Sequence, residues 1–515
     1  MGISKFSNKS IVRSTLFLSL IVLLIKVLGF VKQAIIAAYF GATIQTDVYF
    51  IASGVLVSVS IAVFTAISIS SLSLYIDKLT NYGRKSANTF LTSTIKVFLP
   101  LSAIVSMLIA LLAQPIAGVL APSYVGEELK LLSQYLRIMS VTFFLSSYYY
   151  IINVSLEAEK NFFPAKGFSF FQNLFIIIAS IFFSEKFGII SLLYAFLLAN
   201  VAQILFISPF AKKHYKFLFK SEFRWQEIRA LLKMTLPLVI GNAIYQVNNI
   251  VDKVISSGLE KGQVSVLTYG QSINELVSVV IVSSVSTVLF SHYSAWVAEG
   301  RIERLQDNLL NTISWLVILI LPITLITIIC RVEIVEVLYG RGSFNTETTY
   351  LTSNVLFGYA VGFFFSAVHG IMVKGYYAFK DTKTPMIYGS IAVGINIFLS
   401  YVLSRFMGSA GIGLATSIAM LVSSILGIVQ FKKHVKGFSL RTTKSVVVKS
   451  LLATAIMSFC LYLLHSFLQI GDFITLMISG LLGGLIYLVL LVLFRCQQVY
   501  NVIFYIEMRI KKVKT

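Results

Sequence analysis

Apolar segments of about 20 residues recur along the whole chain, separated by short polar joints. An α-helix needs that length to cross roughly 30 Å of hydrocarbon. The period-two alternation that marks a membrane barrel is absent, so the segments are expected to be helices of an all-α polytopic membrane protein. Fourteen spans are expected, near 11–38, 46–75, 88–114, 131–156, 163–184, 188–209, 229–256, 264–290, 308–330, 350–374, 385–404, 410–431, 447–468 and 473–495. Residues 497–515 read as an amphipathic basic tail at the membrane surface. The first apolar run is too long for a cleaved signal, lacks a small-residue cleavage site and leads straight into the next span.

Composition agrees: 57% of residues are hydrophobic, 12% are charged, and the mean hydropathy is +0.86, outside the range of a soluble globule. The net charge of +21 raises the question of nucleic acid, but its distribution answers otherwise. With the N terminus in the cytoplasm, roughly three-quarters of the Lys and Arg fall on that side, as the positive-inside rule requires. They include the joints KKHYKFLFKSEFRWQEIR (212–229) and FKKHVKGFSLRTTK (431–444). The charge is therefore read as topology signal and contact with anionic membrane lipids, with no nucleic-acid partner. An even number of spans puts both termini in the cytoplasm.

Candidate chemistry is sparse. Cys330, Cys460 and Cys496 have neither metal nor redox spacing, the five histidines form no HExxH pattern, and no GxxxxGK[ST] loop exists. No nucleophile, base, metal or cofactor constellation is visible, so an enzyme is not expected.

A displacement of about 220 residues brings the chain into register with itself. VLVSVSIAV (55–63) falls on ELVSVVIVS (275–283), FLPL (98–101) on ILPI (320–323), and EAEKNFFPAKG (157–167) on AFKDTKTPMIYG (378–389), aligning Pro164 with Pro385. FGIISLLYA (187–195) and AGIGLATSI (410–418) then open alike. The repeat predicts a six-helix lobe at 1–210, a basic linker at 211–228, a second six-helix lobe at 229–431, and two helices without a repeat partner at 447–495. Six is even, so the lobes share one orientation, and transporters built in this way carry substrate between their halves.

KVLGFVKQ (26–33) places two lysines and a glutamine inside the first apolar run. A charge at mid-membrane costs about 2.5–3.5 kcal/mol on insertion scales, so such residues mark a partner or a pathway. The repeat counterpart is QVNNIVDK (246–253), pairing Lys26 with Gln246, Gly29 with Asn249, Lys32 with Asp252 and Gln33 with Lys253. Lys26, Gly29 and Gln33 share one helical stripe, and Lys32 is turned about 120° away. Gly29 permits close backbone approach or a bend. Gln271, Glu275 and Ser278 form another polar stripe, and Lys32 with Asp252 or Lys26 with Glu275 are candidate ion pairs lining a wet cleft. Static pairs that fix helix register are the alternative. Fixed cations in such a cleft suit an anionic substrate such as a diphosphate.

Two stretches carry a family resemblance. LGFVKQAIIAAYFGATIQTDVYFIA (28–52) resembles the first two helices of MurJ-type lipid II flippases, with their FGA turn and acidic second-helix start. EVLYGRGSFNTETTYLTSNVLFGYAVGFFFSAVHGIMVKGYYAFKDTKTPM (336–386) resembles that family's LF-x-RG-x-F joint, tenth helix and D-x-KTP loop. The resemblance implies a member of the multidrug/oligosaccharidyl-lipid/polysaccharide exporter superfamily in a bacterial cytoplasmic membrane. It implies a monomer that moves a polyprenyl-diphosphate-linked glycan, lipid II, between leaflets by alternating access, driven by the membrane potential or a coupling ion. It assigns Lys26, Lys32 and Gln33 to the substrate, Asp47, Glu275, Gly29 and Asn249 to gating or pairing, and Asp252 with Lys253 to outer closure. Helices 13 and 14 become a groove for the polyprenyl tail. The family usually has arginine where this chain has Lys26 and Lys32, and also at Ser60 and Ser272, with a common acid at Gln271. Ser60, Gln271 and Ser272 are thus substrate-binding candidates, and another lipid-linked glycan of a capsule or exopolysaccharide is an alternative cargo. A cation-coupled multidrug exporter and a non-transporting scaffold are the readings from other classes.

Overall fold

In lipid every backbone N–H and C=O must find its partner within the chain, and a helix does this within one segment. Among the residues described by the computed structural model (8–161, 164, 167–218, 223–278, 284–440, 443–467 and 471–502), every long regular element is accordingly an α-helix. In order they are α1 (Asn8–Phe40), α2 (Ile44–Leu111), α3 (Ala113–Leu120), α4 (Glu127–Ala158), α5 (Phe168–Phe187), α6 (Ile190–His214), α7 (Trp225–Ser257), α8 (Gln263–Ser278) and α9 (Ser284–Ala298). They continue as α10 (Ile302–Ile329), α11 (Arg331–Tyr339), α12 (Thr346–Ala360), α13 (Phe363–Ala378), α14 (Lys383–Met407), α15 (Ser409–Phe431), α16 (Lys444–Phe467) and α17 (Asp472–Leu493).

Among the described residues, eleven helices are long and apolar enough to cross a membrane, or twelve when α12 and α13, bent by 43° at their break, count as one. Fourteen spans were expected. One of the eleven, α2, has 68 residues and runs through two expected spans, 46–75 and 88–114. Gly83, at φ 77°, breaks its helical geometry between them. The expected eighth span crosses 279–283, which lie outside the described residues, as do 219–222 of the basic linker and 503–515 of the tail.

The chain divides into two compact units, Met1–Thr268 with Gly342–Phe344, and Tyr269–Arg341 with Asn345–Thr515. Each repeats the same backbone devices. Lys160 and Lys380, 220 residues apart, are both left-handed, at φ 58° and 59°. Each donates its N–H three residues back, to Glu157 O and Tyr377 O, and the next N–H reaches Leu156 O and Tyr376 O. Gly188 and Gly408, also 220 apart, both take φ 57° to end α5 and α14.

In the first unit the core is aromatic, with Phe64, Phe90, Phe143 and Tyr149 packed between α2, α4 and the end of α6. Small hydroxyls let the helices close up: Ser102 and Ser147 meet at 2.7 Å between α2 and α4. In the second unit, Met457, Leu461, Tyr487 and Leu491 join α16 to α17 and pack on Ile318 of α10. Large apolar side chains such as Phe182 and Leu205 remain exposed, as lipid-facing positions must.

Glycine sets close helix crossings in the second unit. A Cβ on Gly358 of α12 would stand 2.6 Å from Ala410 O and 2.7 Å from Leu414 N of α15. Both are backbone atoms and have no rotamer by which to yield. Gly358→Val is expected to lower stability by about 1–3 kcal/mol, read as a lower melting temperature in detergent. Gly394→Ala, where a Cβ meets nothing within 4 Å, is expected to leave it unchanged or raised.

Candidate functional site

The first candidate feature begins where α1 stops. Gly41, at φ 59°, turns the chain out of the helix and donates to Ala37 O at 2.9 Å. Thr43 then caps α2 in a reciprocal box with Thr46. Asp47 lies in the first turn of α2 and is 1% exposed. Its Oδ2 accepts the Gly262 N–H at 2.6 Å, and its Oδ1 accepts the Ser265 N–H at 2.7 Å and the Ser265 hydroxyl at 2.5 Å. A helix start leaves its first N–H groups without internal partners and carries partial positive charge. Asp47 supplies both the acceptors and the opposite charge for α8.

Two further glycines make room for this clasp. A Cβ on Gly262, at φ 91°, would stand 2.6 Å from Ala42 O. Gly342 presses on Ala38 O in the same way, and Ser343 donates its N–H to Ala38 O at 2.7 Å and its hydroxyl to Tyr39 O at 3.2 Å. The FGA turn, the Gly262 loop and the RG-x-F joint are thereby fastened together within the first unit.

The second feature is a lysine in a glycine slot. α7 packs along α2, tied by Lys78 to Glu227 at 2.5 Å and by Asn242 Nδ2 to Ala62 O at 3.5 Å. Farther along, the Lys253 stem lies over Gly54, where a Cβ would collide with Lys253 Cε. Asp252 is buried and accepts from Asn248 Nδ2 at 3.4 Å, whereas Asn249 is exposed.

On α1, Lys26 is exposed and Lys32 half-buried. Gly29 serves a close approach: the Asn173 side chain of α5 comes to 3.3 Å of its would-be Cβ, and Asn173 Nδ2 donates to Ile25 O. Gln33 Oε1 is buried with no hydrogen-bond partner among the described residues. Ser60 is apart from these, in a small pocket with Thr142, Ser146, Tyr150 and Phe196 between α2, α4 and α6. In the second unit, Gln271 and Ser272 are half-buried and Glu275 exposed on α8, and Ser272 hydrogen-bonds the Tyr339 hydroxyl.

Sequence reasoning missed Gly54, Asn173, Gly262 and Ser265. The clue at Gly262 was local, a glycine followed by Gln-Val-Ser at the head of an apolar run. Nothing local marked Gly54 or Asn173. Asp47→Ala leaves two backbone N–H groups and a hydroxyl without their acceptor, and is expected to cost about 2–3 kcal/mol. The measurement is the melting temperature together with the rate of tryptic cleavage at the exposed Lys261 beside the clasp. Ser265→Ala, which removes one of three bonds, is expected to cost about 1 kcal/mol.

Known proteins resemble this chain over most of its length. The family model described as "Lipid II flippase MurJ" matches residues 36–481. A relative from Buchnera aphidicola subsp. Acyrthosiphon pisum (strain APS), named "Probable lipid II flippase MurJ", is 27% identical over 92% of this chain and 94% of its own. One of the same name from Thermotoga maritima is 26% identical over 81% and 84%. A solved structure of "Lipid II flippase MurJ, inward closed conformation" superposes with a TM-score of 0.81, at 26% identity, covering 93% of this chain and 99% of that one. An inward-facing multidrug MATE transporter of the MOP superfamily shares the fold at a TM-score of 0.64 and 18% identity. With the family model spanning most of the chain, the chain belongs to the lipid II flippase MurJ family.

Proposed function

We propose that this chain is a flippase that carries lipid II, the undecaprenyl-diphosphate-linked peptidoglycan precursor, from the inner to the outer leaflet of a bacterial cytoplasmic membrane. The observation that carries this reading is the family match over residues 36–481. The residues on α1 fit it chemically. Lys26 and Lys32 offer the diphosphate two point charges within the apolar part of α1, Ile21–Phe40, and a phosphate gains most from a cation that is poorly hydrated. Gln33 adds a buried oxygen that a donor on the cargo can satisfy.

In this reading both termini are cytoplasmic, the lobes 1–210 and 229–431 rock about the linker 211–228, and 447–495 hold the polyprenyl chain. The Asp47 clasp, Asp252 and Lys253 serve outer closure, and Gln271, Ser272 and Glu275 serve substrate contact and gating. Ser60 acts indirectly, by its packing in the α2–α4–α6 seam.

The test is growth rescue in a bacterium depleted of its own lipid II flippase, with leaflet-selective labelling of lipid II as the direct readout. The wild-type chain is expected to rescue, and Lys26→Ala and Lys32→Ala each to slow flipping roughly tenfold or more, the loss of one charge-assisted contact. Lys→Arg at either position is expected to restore it. Rescue undiminished by both alanine variants would remove the lysines from the diphosphate. Absence of rescue by a well-expressed wild-type chain would assign it another lipid-linked glycan.

A further inference from the structure

The joint that follows the fourth helix of the first unit and the joint that follows α13 in the second have matching backbones, built on left-handed Lys160 and Lys380. Each also carries one carboxylate that reaches a histidine at the end of its unit's last repeat helix. In the first unit the acid is Glu159, one residue before the left-handed lysine, and His214 Nδ1 lies 3.8 Å from it. In the second the acid is Asp381, one residue after that lysine, and His434 Nε2 lies 2.9 Å from it. His214 and His434 are 220 residues apart, in step with the lysines.

The units differ in what else holds the acid. Arg84, next to the left-handed Gly83, pairs with Glu159 at 2.6 Å. The corresponding Arg301, next to the left-handed Gly300, pairs with its neighbour Glu299 at 3.1 Å instead. Asp381 is left with His434 and with the N-terminus of α14, where it accepts the Thr384 N–H at 2.9 Å. The imidazole is clamped for this contact: it stacks on Phe379 at 4.8 Å and meets Tyr376 edge-on at 5.6 Å.

We propose that the two joints are quasi-equivalent latches with different cations. Arg84–Glu159 is a permanent latch in the first unit, and His434–Asp381 is one that loosens in the second as the imidazole loses its proton. A guanidinium keeps its charge at every physiological pH, whereas histidine titrates between about pH 5 and 8. The acid partner does not move in that window. Burial pushes the Asp381 carboxyl up, but bonds from the Thr384 backbone and hydroxyl and from His434 outweigh it and hold the group down to about 2. That acid's own contribution is therefore present above its unfolded value near 3.8 and lost only as pH falls through about 2. The groups facing the imidazole are the Asp381 carboxylate and the rings of Tyr376, Phe379 and Phe431. Lys380 and Lys383 flank Asp381 in its joint, and Lys432, Lys433 and Lys436 flank His434 in its turn.

Hydrogen–deuterium exchange on the full chain in lipid nanodiscs, from pH 5 to 8 and corrected for intrinsic rates, tests this. The amides of Asp381 and Thr384 are expected to lose roughly tenfold in protection as pH rises, the difference between a charge-assisted and a neutral hydrogen bond. Those of Lys160 and Asn161 are expected to hold constant. His434→Arg is expected to abolish the dependence, and Arg84→His to transfer it to the first joint. Protection at Asp381 and Thr384 that does not change with pH in the wild-type chain, or a dependence that survives His434→Arg, overturns the proposal.

Discussion

A buried carboxylate with no hydrogen-bond donor nearby would be among the most costly groups in this chain, and Asp47 is saved from that by three donors from one loop. The dependence runs both ways. The start of α8 has its exposed amides answered by a side chain more than 200 residues away, so neither segment can settle without the other. Around this contact the chain uses glycine wherever backbone meets backbone, at 41, 262 and 342. The clasp is therefore fixed in shape by sterics and in position by charge.

Elsewhere charge is handled by location. Glu227 is tied to Lys78, and Arg224 lies 3.4 Å away, at the polar end of α7. Lys253 shelters its methylene stem against Gly54, which lets a long cation lie along a helix seam without prising the helices apart. Buried hydroxyls such as those of Ser53, Thr92 and Thr94 answer to carbonyls of the preceding turn of their own helix. They leave the seams small and the backbone ladders intact, so the interior carries polarity at little desolvation cost.

The sequence made the helices legible because a bilayer imposes one length and one kind of element, and the repeat because turns such as those at Gly188 and Gly408 need the same residue in both halves. Gly29 was readable as a point of close approach, though not its visitor Asn173. The partners of α7 were not readable. By repeat it is the first helix of the second half, yet by contact it packs along α2, through residues as distant as Lys78 and Glu227 or Ala62 and Asn242. Pattern along a chain encodes which face of a helix is apolar. It does not encode which of several apolar faces will meet it, and complementary shape at one glycine decided that for Lys253. Ser60 illustrates the same limit: family alignment pointed to a substrate position, while its burial between three helices is a fact of packing that no neighbour in sequence announces.

The tie between Ser343 and Ala38 also bears on biosynthesis. Those residues are about 300 positions apart, and at 5–20 residues per second the ribosome takes on the order of 15–60 s to supply the second after the first. For that interval the first two helices are inserted but one part of the fastening between them does not yet exist. Until then the early helices persist in the membrane on hydrophobicity, the α2–α4 and α2–α7 seams and the Asp47 clasp, and a chain stalled before Gly342 lacks the Ser343 tie to Ala38.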